Sequence, residues 1–325
     1  MKSGSLPPGG RLAVVAQPDW RRKVEAWREL LGQCCRKPSR KCVHVLRVAT
    51  LRLQVELEYG LQQRPQEDVA ARAARRWKKQ AKKLRRALQP VREADVFLAK
   101  LASLRDSARE TTESQAAPSR HCLRQIGELE QKLKKRRQTA AKSLVVKIKD
   151  RLPRLERLSA DVEVAKTPQM LFSEAAAEDA VSKLVSGLAE KYPELNGENL
   201  HEYRKDIKRA NYLAELFASA GSRAGEQAAV LKKMQVAVGE WHDLEMLGAV
   251  AAKTLGKHDT QDGVVDLVNA LTASSLERAL RQCRQSTAQL LKYDIASQST
   301  LGALPPKLSV RGEASSPPDE ERRYA

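Results

Sequence analysis

Residues 200–217, LHEYRKDIKRANYLAELF, set Leu200, Tyr203, Ile207, Ala210, Ala214 and Phe217 on a 3–4 rhythm. At about 100° per residue those six form the apolar stripe of an α-helix. The opposite stripe carries His201, Arg204, Lys205, Lys208, Arg209 and Tyr212, spaced i, i+3, i+4, i+7, i+8 and i+11. One face of this helix is built for a core, and the other packs four cations and a histidine side by side.

The unit occurs twice. HVLRVATLRLQVELEYG from His44 aligns without a gap with HEYRKDIKRANYLAELF from His201, pairing His44 with His201, Arg47 with Arg204 and Arg52 with Arg209. LQPVREADVF (88–97) stands against VGEWHDLEML (238–247), where Glu93 meets Asp243 and Asp95 meets Glu245. A repeated helical unit with halves dividing near 160–172 is the reading that follows. Strand chemistry is scarce: aromatic residues make up 4% of the chain, and Ala, Leu, Glu, Lys, Arg and Gln dominate its periodic runs. The expected fold is all-α. Helices are expected over 18–31, 41–59, 67–89, 91–109, 119–158, 173–190, 198–219, 224–239, 241–256, 261–271 and 274–297, with breaks at Gly-, Pro- and Ser-rich segments. Residues 1–17 read as a disordered leader and 298–325 as a disordered tail. With 325 residues, 42% of them hydrophobic, the chain can bury a sizeable core as one large or two modest domains.

A formal net charge of +19 points to a polyanionic partner. The second basic face is ARAARRWKKQAKKLRR (71–86), with nine cations and no acid; Arg75, Lys79, Lys82 and Arg86 fall at i, i+4, i+7 and i+11, opposite Trp77, Ala81, Leu84, Leu88 and Val91. Like charges at helical i,i+4 spacing cost about what opposite charges gain, ~0.2–0.5 kcal/mol per pair. A bound anion is the natural compensation. The five cysteines, Cys34, Cys35, Cys42, Cys122 and Cys283, show no paired spacing and read as reduced thiols. No segment approaches the ~18 apolar residues of a membrane span, so a cytoplasmic protein without membrane contact is expected.

Catalytic signatures are missing: the chain has no GxxxxGK[ST] loop, no HExxH, no GxSxG and no Cys/His cluster at zinc spacing. His242–Asp243 and His258 lack further ligand spacing, so neither a metal nor a cofactor is expected. Glu56, Glu58, Glu93, Asp95, Asp243 and Glu245 read as partners that orient arginines or as helix-surface acids. The expectation is a binding module and not an enzyme.

Taken in order, VHVLRVATLRL, LRRALQPVREADVFL, LHEYRKDIKRANYLAELF and LKKMQVAVGEWHDLEML resemble the CHAD domain, the conserved histidine α-helical domain, over residues 18–297, in halves of about 18–165 and 173–297. The resemblance implies two similar helical-bundle halves related by a pseudo-two-fold axis, with a basic central groove between them. It also implies binding of inorganic polyphosphate through histidines and basic helix faces, at polyphosphate granules. His44, Arg47 and Arg52 answer to the motif of the first half, and His201, Arg204, Lys205, Lys208 and Arg209 to that of the second. Departures from the pattern stand at Leu51, Gln54, Glu93 and Asn211, which leaves Arg75, Lys79, Lys82 and Arg86 to carry more of the first side. Glu56-Leu57-Glu58-Tyr59-Gly60 lacks the Lys of an ExExK triphosphate-tunnel mark, so a stand-alone CHAD protein is expected. Two rival readings remain open: a nucleic-acid-binding basic helical protein, and phosphotransfer through His44 or His201. Single-strand binders stack bases on aromatic platforms, and here Tyr212 is the one aromatic on the basic stripe.

Overall fold

The computed structural model describes residues 20–62, 69–110, 119–164, 174–218, 222–255 and 263–301. Within them the chain forms eight α-helices and no strand: α1 (Trp20–Arg36), α2 (Arg40–Gln62), α3 (Val69–Glu110), α4 (Arg120–Val164), α5 (Glu174–Lys191), α6 (Leu200–Phe217), α7 (Arg223–Leu255) and α8 (Val264–Leu301). Three of them start on the same local chemistry. The hydroxyls of Ser39, Ser119 and Ser222 accept from the backbone N–H groups of Cys42, Cys122 and Gly225 at 3.2, 3.1 and 3.1 Å, and so satisfy donors that a helix N-terminus leaves unpaired.

Three expected breaks do not occur. Helix α3 runs through Pro90, α7 through Gly239 and α8 through 271–274, so six expected helices become three. Packing overrides the local breakers because the buried stripe keeps its phase across each. Leu84, Leu88, Val91 and Ala94 are all buried around Pro90, as are Met234, Val238, Trp241 and Leu244 around Gly239. An interior proline costs ~3 kcal/mol, comparable to the burial of one or two large aliphatic side chains. Helix α8 also reaches Leu301, into the expected tail; the expected leader lies outside the described residues.

Three apolar clusters hold the helices together. The first joins α1, α2, α3 and the C-terminal part of α4 around Trp27, Leu46, Trp77, Leu88 and Ile148. Its two buried indoles are both satisfied, Trp27 Nε1 donating to Thr50 Oγ1 at 2.9 Å and Trp77 Nε1 to Ser159 Oγ at 3.0 Å. A second cluster joins α5, α6, α7 and α8 around Val185, Ile207, Leu231 and Cys283, and takes in Val55 and Tyr59 from α2. The third ties α3 and α4 to α7 and α8 through Phe97, Leu101, Ile126, Leu247 and Val268. Helix α2 packs on α6 and α3 on α7, which sets the four repeat-bearing helices against one another.

Cys34 and Cys42 form a disulfide, their Cα atoms 5.9 Å apart, while Cys35, Cys122 and Cys283 are free. This corrects the expectation of five reduced thiols. The short connection from α1 to α2 turns the chain back and brings together two cysteines whose sequence spacing marks no pair. No helix among the described residues is long and apolar enough to cross a membrane.

Candidate functional site: a cationic pocket among four helices

Where α2, α3, α6 and α7 converge lies a pocket of about 580 Å³. Six lysines and arginines line it: Arg47 and Arg52 from α2, Arg92 from α3, Arg204 and Lys208 from α6, and Lys232 from α7. Against these stand three acids, Glu93, Glu240 and Asp243, with His44, His242, Gln235 and Tyr212 completing the polar lining. Helix phase explains the direction of each side chain. On α6, Tyr203, Ile207 and Ala210 are buried in the core, which turns Arg204 and Lys208 to the other side. On α2, burial of Val43, Leu46, Thr50 and Leu53 does the same for His44, Arg47 and Arg52.

The cations crowd one another. Burial, followed by the charges of Arg204 and Arg47, pushes Lys208 down to about 7, with Asp243 opposing. Arg47 falls to about 10 through burial and the nearby Arg85 and Arg204 guanidinium groups, and its Nη1 finds a neutral acceptor in the Arg85 carbonyl at 3.3 Å. His44 is lowered by burial and then by Arg92, Lys232, Arg47 and Arg40. His242 is pushed down to about 3 by burial, Arg204, His201 and Lys208. Asp243 is raised by burial, although Arg204, Arg92 and Lys208 pull the other way. Each cationic shift has the same origin, positive charge withdrawn from water with too little negative charge nearby. An anion entering the pocket relieves all of them at once.

Of the residues singled out in the sequence, the structure brings His44, Arg47, Arg52, Arg204 and Lys208 into this pocket. His201 does not line it; its ring meets that of His242, centroids 4.9 Å apart at 63°. Lys205 is paired with Glu202 on the exposed side of α6. Arg209 stands 3.7 Å from Glu58 and borders a smaller cavity shared with Lys191 and Asp206. Arg75, Lys79, Lys82 and Arg86 are exposed on α3 and lie outside the pocket lining. Two of the departures have structural roles. Gln54 accepts from Arg85 at 2.6 Å and donates to Glu58 at 2.9 Å; Asn211, fully buried, donates to Glu215 at 2.9 Å and Gln235 at 3.0 Å.

Sequence reasoning passed over Arg92, Lys232 and Gln235, and gave His242 no binding role. The second repeat held the signal for two of them. Across LQPVREADVF and VGEWHDLEML, the matched pairs Gln89 and Gly239, Arg92 and His242, Glu93 and Asp243, and Val96 and Met246 all line the one pocket.

An all-helical chain whose repeated motifs meet at a histidine- and arginine-lined pocket defines a recognisable class of helical domain. The CHAD domain family model matches residues 19–252 of the 325-residue chain, and the protein belongs to that family. No curated protein and no solved structure matches it.

Proposed function

We propose that this chain binds inorganic polyphosphate, and that the pocket is part of a basic central groove between two halves related by a pseudo-two-fold axis. The observation that carries the reading is the convergence of six lysines and arginines from four helices on one pocket. Membership of the CHAD family is consistent with it. The symmetry is supported by reciprocal pairing: Arg52 of α2 bonds Glu215 of α6, and Arg209 of α6 faces Glu58 of α2. Arg52 and Arg209 are matched in the repeat, and so are Glu58 and Glu215. Such exchange of equivalent partners is what a two-fold relation produces. A phosphate chain presents a negative charge at every unit, which suits cations distributed over several helices better than a compact ligand would. Binding, not chemistry, is the proposed activity, with polyphosphate granules as the proposed location.

The test is titration of the full chain with long-chain polyphosphate and with RNA of matched charge, at several salt concentrations. Polyphosphate should bind more tightly at every salt, and log affinity should fall about linearly with log salt as counterions are released. Equal affinity for RNA, lost on neutralising Arg75, Lys79, Lys82 and Arg86, would transfer the function to nucleic acid. Incubation with labelled ATP or polyphosphate checks phosphotransfer; acid-labile label that disappears with His44 or His201 would make the protein a phosphoacceptor.

A further inference from the structure

We infer that His201, His242 and Glu245 form a site for a borderline divalent metal ion of the zinc class, at the edge of the cationic pocket. One ligand atom from each residue lies within 4.8 Å of the other two. His242 and Glu245 are one helical turn apart on α7, and His201 reaches them from the first turn of α6. The His242 Nδ1 atom is buried and has no hydrogen-bond partner. Its nearest carboxylate oxygen, Glu245 Oε2, is 3.5 Å away. A buried imidazole nitrogen left without a bond is unusual, because such groups nearly always find a partner. The separation has a simple meaning in coordination chemistry. Zinc–nitrogen and zinc–oxygen bonds of about 2.0–2.2 Å at tetrahedral angles set two ligand atoms about 3.3–3.5 Å apart.

The third ligand closes the site with little movement. The His201 and His242 rings are in edge contact, with centroids 4.9 Å apart. The Glu245 side chain is 49% exposed and free to turn, whereas that of His242 is 14% exposed and held in place. Two imidazoles and a carboxylate exclude calcium and magnesium, which take oxygen ligands, and the lack of a thiolate separates the site from structural zinc clusters. Three protein ligands leave a coordination position open. His242 also lines the pocket, so an ion held here has one side toward it. Spacing along the chain could not reveal the site, since His201 and His242 belong to different helices. The site stands on its own geometry and is independent of polyphosphate binding.

The experiment uses the full chain, stripped of metal and free of polyanion, titrated calorimetrically with Zn²⁺ and spectroscopically with Co²⁺. Wild type should take up one equivalent of each. The Co²⁺ spectrum should lack a thiolate charge-transfer band, which excludes Cys35, Cys122 and Cys283 as the ligands. His242→Gln should lose this equivalent, and Glu245→Gln should weaken it by at least about tenfold, the scale on which changes at a metal site are felt. His44→Gln should leave it unchanged. If His242→Gln fails to fold, the half-exposed Glu245→Gln and the partly exposed His201→Gln decide the matter. Isotherms identical to wild type in both, or a thiolate band, would overturn the site while leaving the anion-binding proposal intact.

Discussion

The Arg52 guanidinium of α2 donates twice to one oxygen of Glu215 in α6, from Nε at 3.0 Å and Nη2 at 2.7 Å, across 163 positions of sequence. The other carboxylate oxygen accepts from Asn211 Nδ2 at 2.9 Å. Arg52 also lines the pocket, so the same side chain that ties α2 to α6 is one of its six lysines and arginines. In the free protein Glu215 occupies part of the positive charge that a polyanion would otherwise meet.

Glu215→Gln should therefore separate the two roles. Stability should fall by about 0.2–1 kcal/mol, the usual worth of a partly exposed ion pair. Polyphosphate affinity should rise about two- to fivefold, equivalent to ~0.4–1 kcal/mol, because Arg52 is released. Denaturant melts and titration read the two effects, and a drop in affinity would show that the pair organises the pocket.

Lys208 should give the free protein a distinctive pH profile. Its folded-state value of about 7 lies below its ordinary 10.5. Between those values the unfolded chain binds a proton that the folded chain does not, so stability rises with pH through this window and the penalty is complete below it. Thermal melts from pH 6.5 to 9.5 should show the rise. Lys208→Met should flatten it and add roughly 1–3 kcal/mol at the acid end, the scale for relieving an unpaired half-buried charge. Polyphosphate affinity should fall over the same range in wild type as Lys208 loses its proton, and Lys208→Arg should retain affinity to higher pH.

Neutralising pocket cations should matter more than neutralising exposed ones. Arg92→Gln, Arg204→Gln and Lys232→Gln together should lower polyphosphate affinity by more than about tenfold, with a smaller salt slope. Lys205→Ala with Lys79→Ala and Lys82→Ala should change it by less than about threefold and raise helix content slightly. Circular dichroism checks folding in both sets, and equal losses would mean that the anion ranges over the whole surface.

The platform under the pocket can be tested at Thr50, which is fully buried and whose hydroxyl accepts the Trp27 indole N–H at 2.9 Å. Thr50→Val keeps the shape of the side chain and removes that acceptor, and should cost about 1–3 kcal/mol. Thr50→Ser keeps the acceptor and should cost less, as measured by urea denaturation.

Helix existence was legible because each apolar stripe repeats at 3.6 residues, as it does on α6, where all six expected core positions are buried. Half of the pocket was legible too, because Arg47, Arg52, Arg204 and Lys208 share a helix face with a repeated histidine. Helix length was misread at Pro90, Gly239 and 271–274, where local breaker chemistry gave way to long-range burial. Among the cations, charge density misled: the densest basic run, 71–86, lies outside the pocket, whereas isolated Arg92 and Lys232 line it.

By itself, then, the sequence determined that the chain is helical, that one helical unit is used twice and that it carries a large positive excess, because periodicity, repetition and charge are properties of order along a chain. Only the tertiary structure decided which charges meet. The crossing of α2 with α6 and of α3 with α7 turned Arg92 and Lys232 into the pocket, left Arg75 and Lys79 outside it, and set His201 against His242. The physical reason is that electrostatic and coordinate interactions act through space over a few ångströms, and that helix spacing fixes the face on which a side chain lies but not what faces it.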